Sequence, residues 1–564
     1  MLKFLFFFVL AYLGGVIYAT GFPSVWIPTF IAGPIIGMAL FLIGTSLFRT
    51  RKKPSFVQEL ILFLAFSAGA YTFAYYWVPN TLKVFGAIPY PAHYFLGSLL
   101  SLIIFPHLLL LLILIRFSQI INIPFKFVVN SPNKRNLFIA LLFCFLEYYT
   151  PQQFPAHMGH SWLVLAPNLG MAPYCGVILF SFISGWLAMA AATFFTSLRV
   201  DRFAILATIL FLGANFALPL KFSPVQSGNY KSNHLRLVQA NVGNFMKMDA
   251  TLGGPKSLQE VDFRYYDLST RPSLHPIDLL IWPETSYPHT FNTSALKDNS
   301  AGIPRLVKEV ILESKAELFM GGYDSLFRSN DNFFETDYNA ALLLGSQKSF
   351  TPNITQNPNQ LIFDPQSYTT IEFKDVYHKR RLIPFGETLP FGRFNEYLAR
   401  YIRNISFFKT GDRYTLFTTR NQTHFISAIC YEILFSESIR TYLNSVRYRP
   451  HFIVNLSNDS WYGNTAQPLQ HLFLAHWRAL EFQLPIVRMT NSGISSILYP
   501  DGQESRRLAY ETQDILDVTL TTPNGKPTFY QEWGTLPVLG IWFFFLILIL
   551  IFGRSSAKKE PFLE

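Results

Sequence analysis

Three tracts of this chain each carry an apolar or aromatic run onto a side chain capable of acyl chemistry. The first, Leu279-Leu280-Ile281-Trp282-Pro283-Glu284, closes on a carboxylate. Proline lacks an N–H and ends a hydrogen-bonded ladder, so Glu284 is predicted at a strand end, where sites in α/β sheets gather. The second runs Tyr377-His378-Lys379-Arg380-Arg381-Leu382-Ile383-Pro384-Phe385-Gly386-Glu387. A lysine beside a thiolate lowers the thiol pKa and can hold a developing oxyanion, and Glu387 can orient that lysine or the substrate. The third, Phe425-Ile426-Ser427-Ala428-Ile429-Cys430-Tyr431-Glu432, ends a β-rich run on a thiol. Its pattern predicts a strand-to-helix turn at Cys430, where backbone N–H groups can bind an oxyanion and a helix N-terminus favours a thiolate. Taken singly, each tract has a plain alternative: a solvated glutamate, a basic turn, a buried structural cysteine.

The elements that must position these side chains are short apolar runs alternating with helical stretches, the pattern of an α/β fold, over residues 233–527. Strands are predicted at 235–241, 279–282, 318–321, 340–344, 424–430, 452–456, 486–489 and 496–499, and a helix at 468–482. The Asn-, Pro- and Gln-rich stretch 349–367 reads as a loop. His471 and His476 are five apart, which does not fit a helical metal pair, and they read as structural. There is no phosphate-binding loop, dinucleotide fingerprint or thiolate zinc spacing, so no cofactor and no metal are expected.

The rest of the chain is different in kind. Half of the 564 residues are hydrophobic and 14% are charged, against about 25% in soluble domains. Membrane spans are predicted near 4–20, 25–48, 57–78, 94–117, 136–149, 175–198 and 203–220, with another at 536–552. The basic clusters (Lys3; Arg49 to Lys53; Arg116 to Arg135; Arg199 and Arg202; Arg554 to Lys559) fall on one side if the spans alternate. That side is the cytoplasm, which puts the α/β part outside. The net charge of +11 is thereby explained by membrane orientation rather than nucleic acid. Three scattered cysteines, Cys144, Cys175 and Cys430, cannot build a disulfide framework, and only Cys430 lies in the polar part.

In combination, the order Glu284, Lys379, Cys430 with these flanks resembles the nitrilase (carbon-nitrogen hydrolase) superfamily. The tracts Asn455-Leu456-Ser457-Asn458-Asp459-Ser460-Trp461-Tyr462-Gly463, Arg478-Ala479-Leu480-Glu481 and Thr490-Asn491-Ser492-Gly493 add to the likeness. Lys379 through Glu387, Cys430-Tyr431-Glu432, and the stretch 154–170 with Pro155, Gly159 and Ser161 resemble one branch, the bacterial apolipoprotein N-acyltransferases. The resemblance implies a membrane α-helical bundle (1–222), an α/β domain built as an αββα sandwich (233–527) and a C-terminal transmembrane helix (535–553). It implies Glu284 as general base, Lys379 as stabiliser of the tetrahedral intermediate and Cys430 as nucleophile, supported by Glu387, Tyr431 and Glu432. It further implies a phospholipid acyl donor, a diacylglyceryl apolipoprotein as acceptor, no nucleic acid partner, a monomer, and a place in the bacterial inner membrane with the catalytic domain periplasmic. Where the family has Lys-Trp-Asp, this chain has Lys247-Met248-Asp249, and Met248 is expected to pack on an acyl chain, as are Trp461 and Tyr462. Apolar loops at 404–408 and 461–462 are expected to face the bilayer. A tethered amidase acting on a small soluble amide is the alternative enzyme. A transport scaffold, resting on Glu147 near a span, is the alternative of another class.

Overall fold

The computed structural model describes residues 2–51, 55–85, 88–97, 105–120, 132–222, 230–297, 302–325, 337–351, 366–384, 386–389, 391–399, 407–523 and 525–555. The first part is helical: α1 (Leu2–Ala19), α2 (Gly33–Arg51), α3 (Phe56–Ala74), α4 (Trp77–Phe85), α5 (Pro106–Ile120), α6 (Pro132–Tyr149), α7 (Ala172–Ser197) and α8 (Arg202–Ala217). Two of these, α3 and α7, are both long and apolar enough to cross a membrane. The predicted span at 57–78 is broken in the structure, where α3 ends and the short α4 begins after Tyr75 and Tyr76. The span expected at 94–117 is described only in part, because 98–104 lie outside the described residues. The predicted span at 136–149 begins earlier, at Pro132.

Helix α7 carries the sharpest irregularity. Gly176 interrupts it at φ +59°, ψ −167°, and a Cβ there would lie 2.6 Å from the ring of Tyr530. Only glycine takes that conformation without strain, and only glycine leaves room for the ring.

Beyond α8 the chain folds into two sheets and their helices. The strands are β1 (Tyr230–Gln239), β2 (Leu279–Ile281), β3 (Thr290–Phe291), β4 (Glu317–Ser325), β5 (Asp337–Thr351), β6 (Gln366–His378), β7 (Phe417–Thr418), β8 (His424–Ile429), β9 (Phe452–Ser457), β10 (Ile486–Thr490), β11 (Ser496–Leu498) and β12 (Asp514–Pro523). One sheet runs β12-β1-β2-β4-β5-β6, with β3 on β4; the other runs β11-β10-β9-β8-β7. Their residues sort by the period of two that a strand imposes. Leu279, Ile281, Phe319, Ala341 and Leu343 face the second sheet, where Phe319 meets Phe417 and Phe425 at 4.9 Å between ring centroids. Leu280, Trp282, Leu318, Met320 and Leu342 face the other way, onto α10 (Pro255–Thr270) and α11 (Arg305–Ser314). On the far side of the second sheet lie α12 (Ser436–Ser445) and α13 (Gln467–Phe482), so the layering is helix, sheet, sheet, helix.

The 349–367 expectation is corrected at its ends. Ser349 to Thr351 pair with Tyr368 to Gln366 as β5 and β6, and 352–365 lie outside the described residues. Strands β3, β6, β7 and β12 are not among the predicted strands.

Helix α13 is buried on every face, as a helix must be when it has a sheet on one side and other helices on the other. Its Trp477 Nε1 donates to His160 O (3.0 Å), within the stretch 154–170. Its Gln470 accepts from Trp77 Nε1 (3.1 Å) and donates to Ala74 O (2.9 Å) and Pro23 O (3.2 Å). Its Glu481 accepts the Val177 N–H freed by the break in α7 (3.2 Å). One apolar core therefore runs from the N-terminal helices into the space between the sheets. After β12 come α14 (Phe529–Trp533) and the apolar α15 (Leu536–Ser555).

Candidate active site

Glu284, Lys379 and Cys430 meet at one end of the sandwich because β2, β6 and β8 all finish there. Past the end of β2, the Glu284 backbone passes so close to β4 that a Cβ on Gly321 would sit 2.6 Å from Glu284 Cα. Gly321 N donates to Pro283 O (3.2 Å), and Ser286 N to Gly321 O (3.0 Å). Glu284 itself is buried at 6% exposure, with Oε2 accepting from Asn458 N (3.0 Å).

Lys379 follows the last residue of β6 and is fully buried. Its Nζ lies 3.2 Å from Glu284 Oε1 and 2.8 Å from Glu387 Oε1. Glu387 is returned to the site by a tight turn, its N–H on Ile383 O (2.8 Å) and its Oε2 accepting Ile383 N (2.9 Å). Asn339, from β5, donates one amide group to both carboxylates, 2.8 Å to Glu284 and 2.9 Å to Glu387. Burial alone would lower the Lys379 pKa, but Glu284, Glu387 and the Cys430 sulfur outweigh it and hold the ammonium well above its ordinary value.

Cys430 ends β8 in the left-handed region, at φ +53°, and opens a short 3₁₀ turn through Leu434. A non-glycine residue held there stores of order 1–3 kcal/mol, so its surroundings must fix it. Asn455, from β9, does so by donating to the carbonyls of Ala428 (2.9 Å) and Cys430 (3.0 Å). Asn455 is held in turn by Arg488 (2.6 Å), which also pairs with Asp459 at 2.8 Å. The expected low thiol pKa is not found. Burial first, then the Glu284 charge, push the thiol up, and Lys379 only partly opposes them. These surroundings favour the neutral thiol over the thiolate.

Glu432 ties the second and third tracts together. Its Oε1 accepts from Arg380 N (2.8 Å), Arg381 N (2.9 Å) and Tyr377 Oη (3.1 Å); its Oε2 accepts from Ile429 N (2.8 Å). Tyr431 donates to Leu382 O (2.6 Å), and its ring centroid lies 5.9 Å from Lys379 Nζ.

Of the residues expected to meet substrate, Met248 is 57% exposed on α9 (Asn244–Thr251). Tyr462 stands edge-on to Trp77 at 5.4 Å, and the Cys430 charge adds to burial in raising its hydroxyl pKa, so it is close to the sulfur. The Trp461 side chain and residues 404–406 lie outside the described residues; Phe407 is buried, and Phe408 stacks on Tyr323 at 5.7 Å. Two neighbours escaped the sequence reading. Asn339 was hidden in a strand, and Lys247 was passed over for Met248 beside it. Lys247 is buried, donates to Thr285 Oγ1, and lies 5.8 Å from the Tyr323 ring centroid. Burial lowers its pKa to about 8 against the opposing charge of Glu284. The other cysteines are elsewhere: Cys144 donates to Ile178 O (3.2 Å) and Cys175 to Met171 O (3.0 Å), both among the helices.

Residues 264–526 match the carbon-nitrogen hydrolase family, and the stretch contains Glu284, Lys379, Glu387, Cys430 and Glu432. The chain carries a carbon-nitrogen hydrolase domain. It is similar over most of its length to apolipoprotein N-acyltransferases. The Haemophilus influenzae protein is 26% identical over 515 residues, covering 88% of this chain and 87% of that one. That of Shewanella oneidensis is 26% identical over 487 residues, 84% of each. Among solved structures, a mutant amidase of the nitrilase superfamily from Nesterenkonia AN1 aligns with 56% of this chain and 99% of its own, at 14% identity and a TM-score of 0.34. The family match starts after α9, so the carbon-nitrogen hydrolase domain as matched leaves out Lys247 and Met248.

Proposed function

We propose that this protein is a membrane-embedded N-acyltransferase that takes an acyl chain from a phospholipid onto Cys430 and passes it to the N-terminal amine of a diacylglyceryl-cysteine apolipoprotein. The observation that carries the chemistry is the single cluster in which Lys379 bridges Glu284 and Glu387 beside the strained turn of Cys430.

In the first half, Glu284 takes the thiol proton while sulfur attacks the ester carbonyl of the donor. Lys379 and backbone N–H groups of the Cys430 turn hold the oxyanion. The C–O bond then breaks, the proton goes to the leaving alkoxide, and a lysophospholipid departs from a thioester. In the second half, the acceptor amine attacks the thioester. Glu284 takes the proton from nitrogen and returns it to sulfur, leaving an amide and the free thiol. Glu387 keeps Lys379 on the oxyanion side, and Tyr431 and Glu432 hold the turn.

Transfer rather than hydrolysis is supported by the way the helical half is built onto the domain. An acyl chain loses roughly 0.8 kcal/mol per CH₂ when drawn from lipid into water, on the order of 10 kcal/mol for a whole chain. A site packed against apolar helices through α13 avoids most of that cost. Phe245 (83% exposed) and Leu252 (81%), at the Lys247 helix α9, and Phe394 (71%), past Glu387, are exposed apolar side chains, and in this reading they meet lipid together with Met248, Trp461 and Tyr462. The clustering of Lys and Arg supports a multi-pass chain in the inner membrane with the catalytic domain periplasmic.

The test is a two-substrate assay with the full chain in phospholipid vesicles and a synthetic diacylglyceryl-cysteine peptide. The expected products are N-acylated peptide and lysophospholipid in equal amounts. Free fatty acid with unmodified peptide would instead identify a hydrolase.

A further inference from the structure

The chain after Lys379 has a second feature that the acyl chemistry does not use. Arg380, Arg381, Ser427, Ser438, Tyr414 and Glu432 are among the residues lining a cavity of about 250 Å³, whose wall includes neither Cys430, Lys379 nor Glu284. A water occupies about 30 Å³ of liquid, so the space takes a substituted tetrahedral group rather than a single small ion.

Its hydrogen-bonding capacity is mostly that of donors, of which Arg381 already faces the Tyr431 hydroxyl. The Arg380 guanidinium lies on the Tyr414 ring at 3.9 Å and that of Arg381 on the Phe435 ring at 3.3 Å. Among the described residues, neither guanidinium forms an ion pair with a carboxylate. The one carboxylate in the wall, Glu432, already accepts from three backbone N–H groups and the Tyr377 hydroxyl. Tyr442, also in the wall, is occupied as well, donating to Thr415 O (2.7 Å) and accepting Thr415 N (3.2 Å). Ser427 is the exception: it is fully buried, and its Oγ has no hydrogen-bond partner among the described residues. A buried hydroxyl left unpaired is costly, and such a group in a native fold calls for a ligand or water.

We propose that this cavity binds a phosphate-class anion, with the two guanidiniums and the Ser427 hydroxyl as its donors. Planar guanidinium forks match phosphate oxygens two at a time, and stacking on aromatic rings fixes their planes in advance. The anion has two sources, the phosphodiester of a membrane lipid headgroup or a soluble phosphate ester. Helix α12 supplies Ser438 and Tyr442 to the cavity, and its Glu437 accepts from Tyr148 Oη of α6 at 3.2 Å, so one wall rests directly on the helical half. Occupancy would also brace the catalytic segment, because the Arg380 and Arg381 N–H groups are those that hold Glu432.

The experiment titrates the full chain in neutral detergent, carrying Cys430→Ala so that no turnover occurs, with glycerol 3-phosphate and with dihexanoyl-phosphatidylglycerol. Arg380→Gln/Arg381→Gln should weaken binding by about tenfold or more, the loss expected of charge-assisted hydrogen bonds. Ser427→Ala, which leaves the charge in place, should weaken it by a few-fold. Arginine-dependent binding of the glycerol phosphate assigns a soluble ester; arginine-dependent binding of the phospholipid alone assigns the headgroup. Binding of either probe that both variants leave unchanged, or no binding of either, overturns the site. Since no acyl transfer is read, an inactive enzyme that still binds in an arginine-dependent way would sink only the proposed reaction.

Discussion

At the scale of single residues, the site is a problem of buried charge. Two carboxylates converge on Lys379, and breaking such a group by removing one member is far costlier than its net worth to stability, because the remaining charges stay buried. Glu432 is a positioning residue in this scheme. In Glu432→Gln the amide NH₂ would face backbone N–H donors, a mismatch of on the order of 1–3 kcal/mol. The expected result is a kcat about ten- to a hundredfold lower with KM little changed, read by steady-state kinetics; a rise in KM alone would point to a substrate contact instead. Asp459 gives a pH prediction. Burial would raise its pKa, but Arg488 and His471 bring it down to about 2, below its ordinary 3.8. A folded-state value below the unfolded one adds stability that is complete above about pH 4 and lost as pH falls toward 2. Thermal midpoints of the wild type and Asp459→Asn should therefore converge over that interval. A gap that stays constant down to pH 2 would contradict the assignment.

At the scale of elements, much of the site was legible and some of it could not be. The ends of β2 and β8 were readable because mainly apolar runs stop abruptly at Pro283 and at Cys430, and buried strands leave that mark. Strand β6 was missed because Thr369 to His378 mixes charged and apolar residues, and the β5–β6 pairing shifts register between Leu343 and Leu344. Asn339 and Lys247 went unseen for a different reason: their contacts, to Glu284 and Glu387 and to Thr285, join elements far apart in sequence, and burial of a polar side chain leaves no local signal. The break in α7 was equally silent, since glycines are common in apolar helices. It supports a prediction of its own. Gly176→Ala would force a Cβ into the Tyr530 ring at a φ that costs of order 1–3 kcal/mol, so the thermal midpoint should fall by a few degrees. An unchanged midpoint would mean that the broken helix does not lock against α14.

At the scale of the whole molecule, the proposed activity depends on a thiol that is not activated at rest. In the proposed reaction Cys430 keeps its proton until a carbonyl arrives, so the transfer of that proton to Glu284 is part of the attack. In the same proposal the helical half supplies the other requirement, a place where an acyl chain need not leave an apolar environment. The most direct test combines the two. The full chain is incubated in vesicles with an acyl-labelled phospholipid and no acceptor, then analysed by intact and peptide mass spectrometry. The account predicts one acyl chain on the peptide containing Cys430, released by hydroxylamine as a thioester must be, and absent from Cys430→Ala and Glu284→Gln. An acyl group on Cys144 or Cys175, or full turnover by Cys430→Ala, would contradict it.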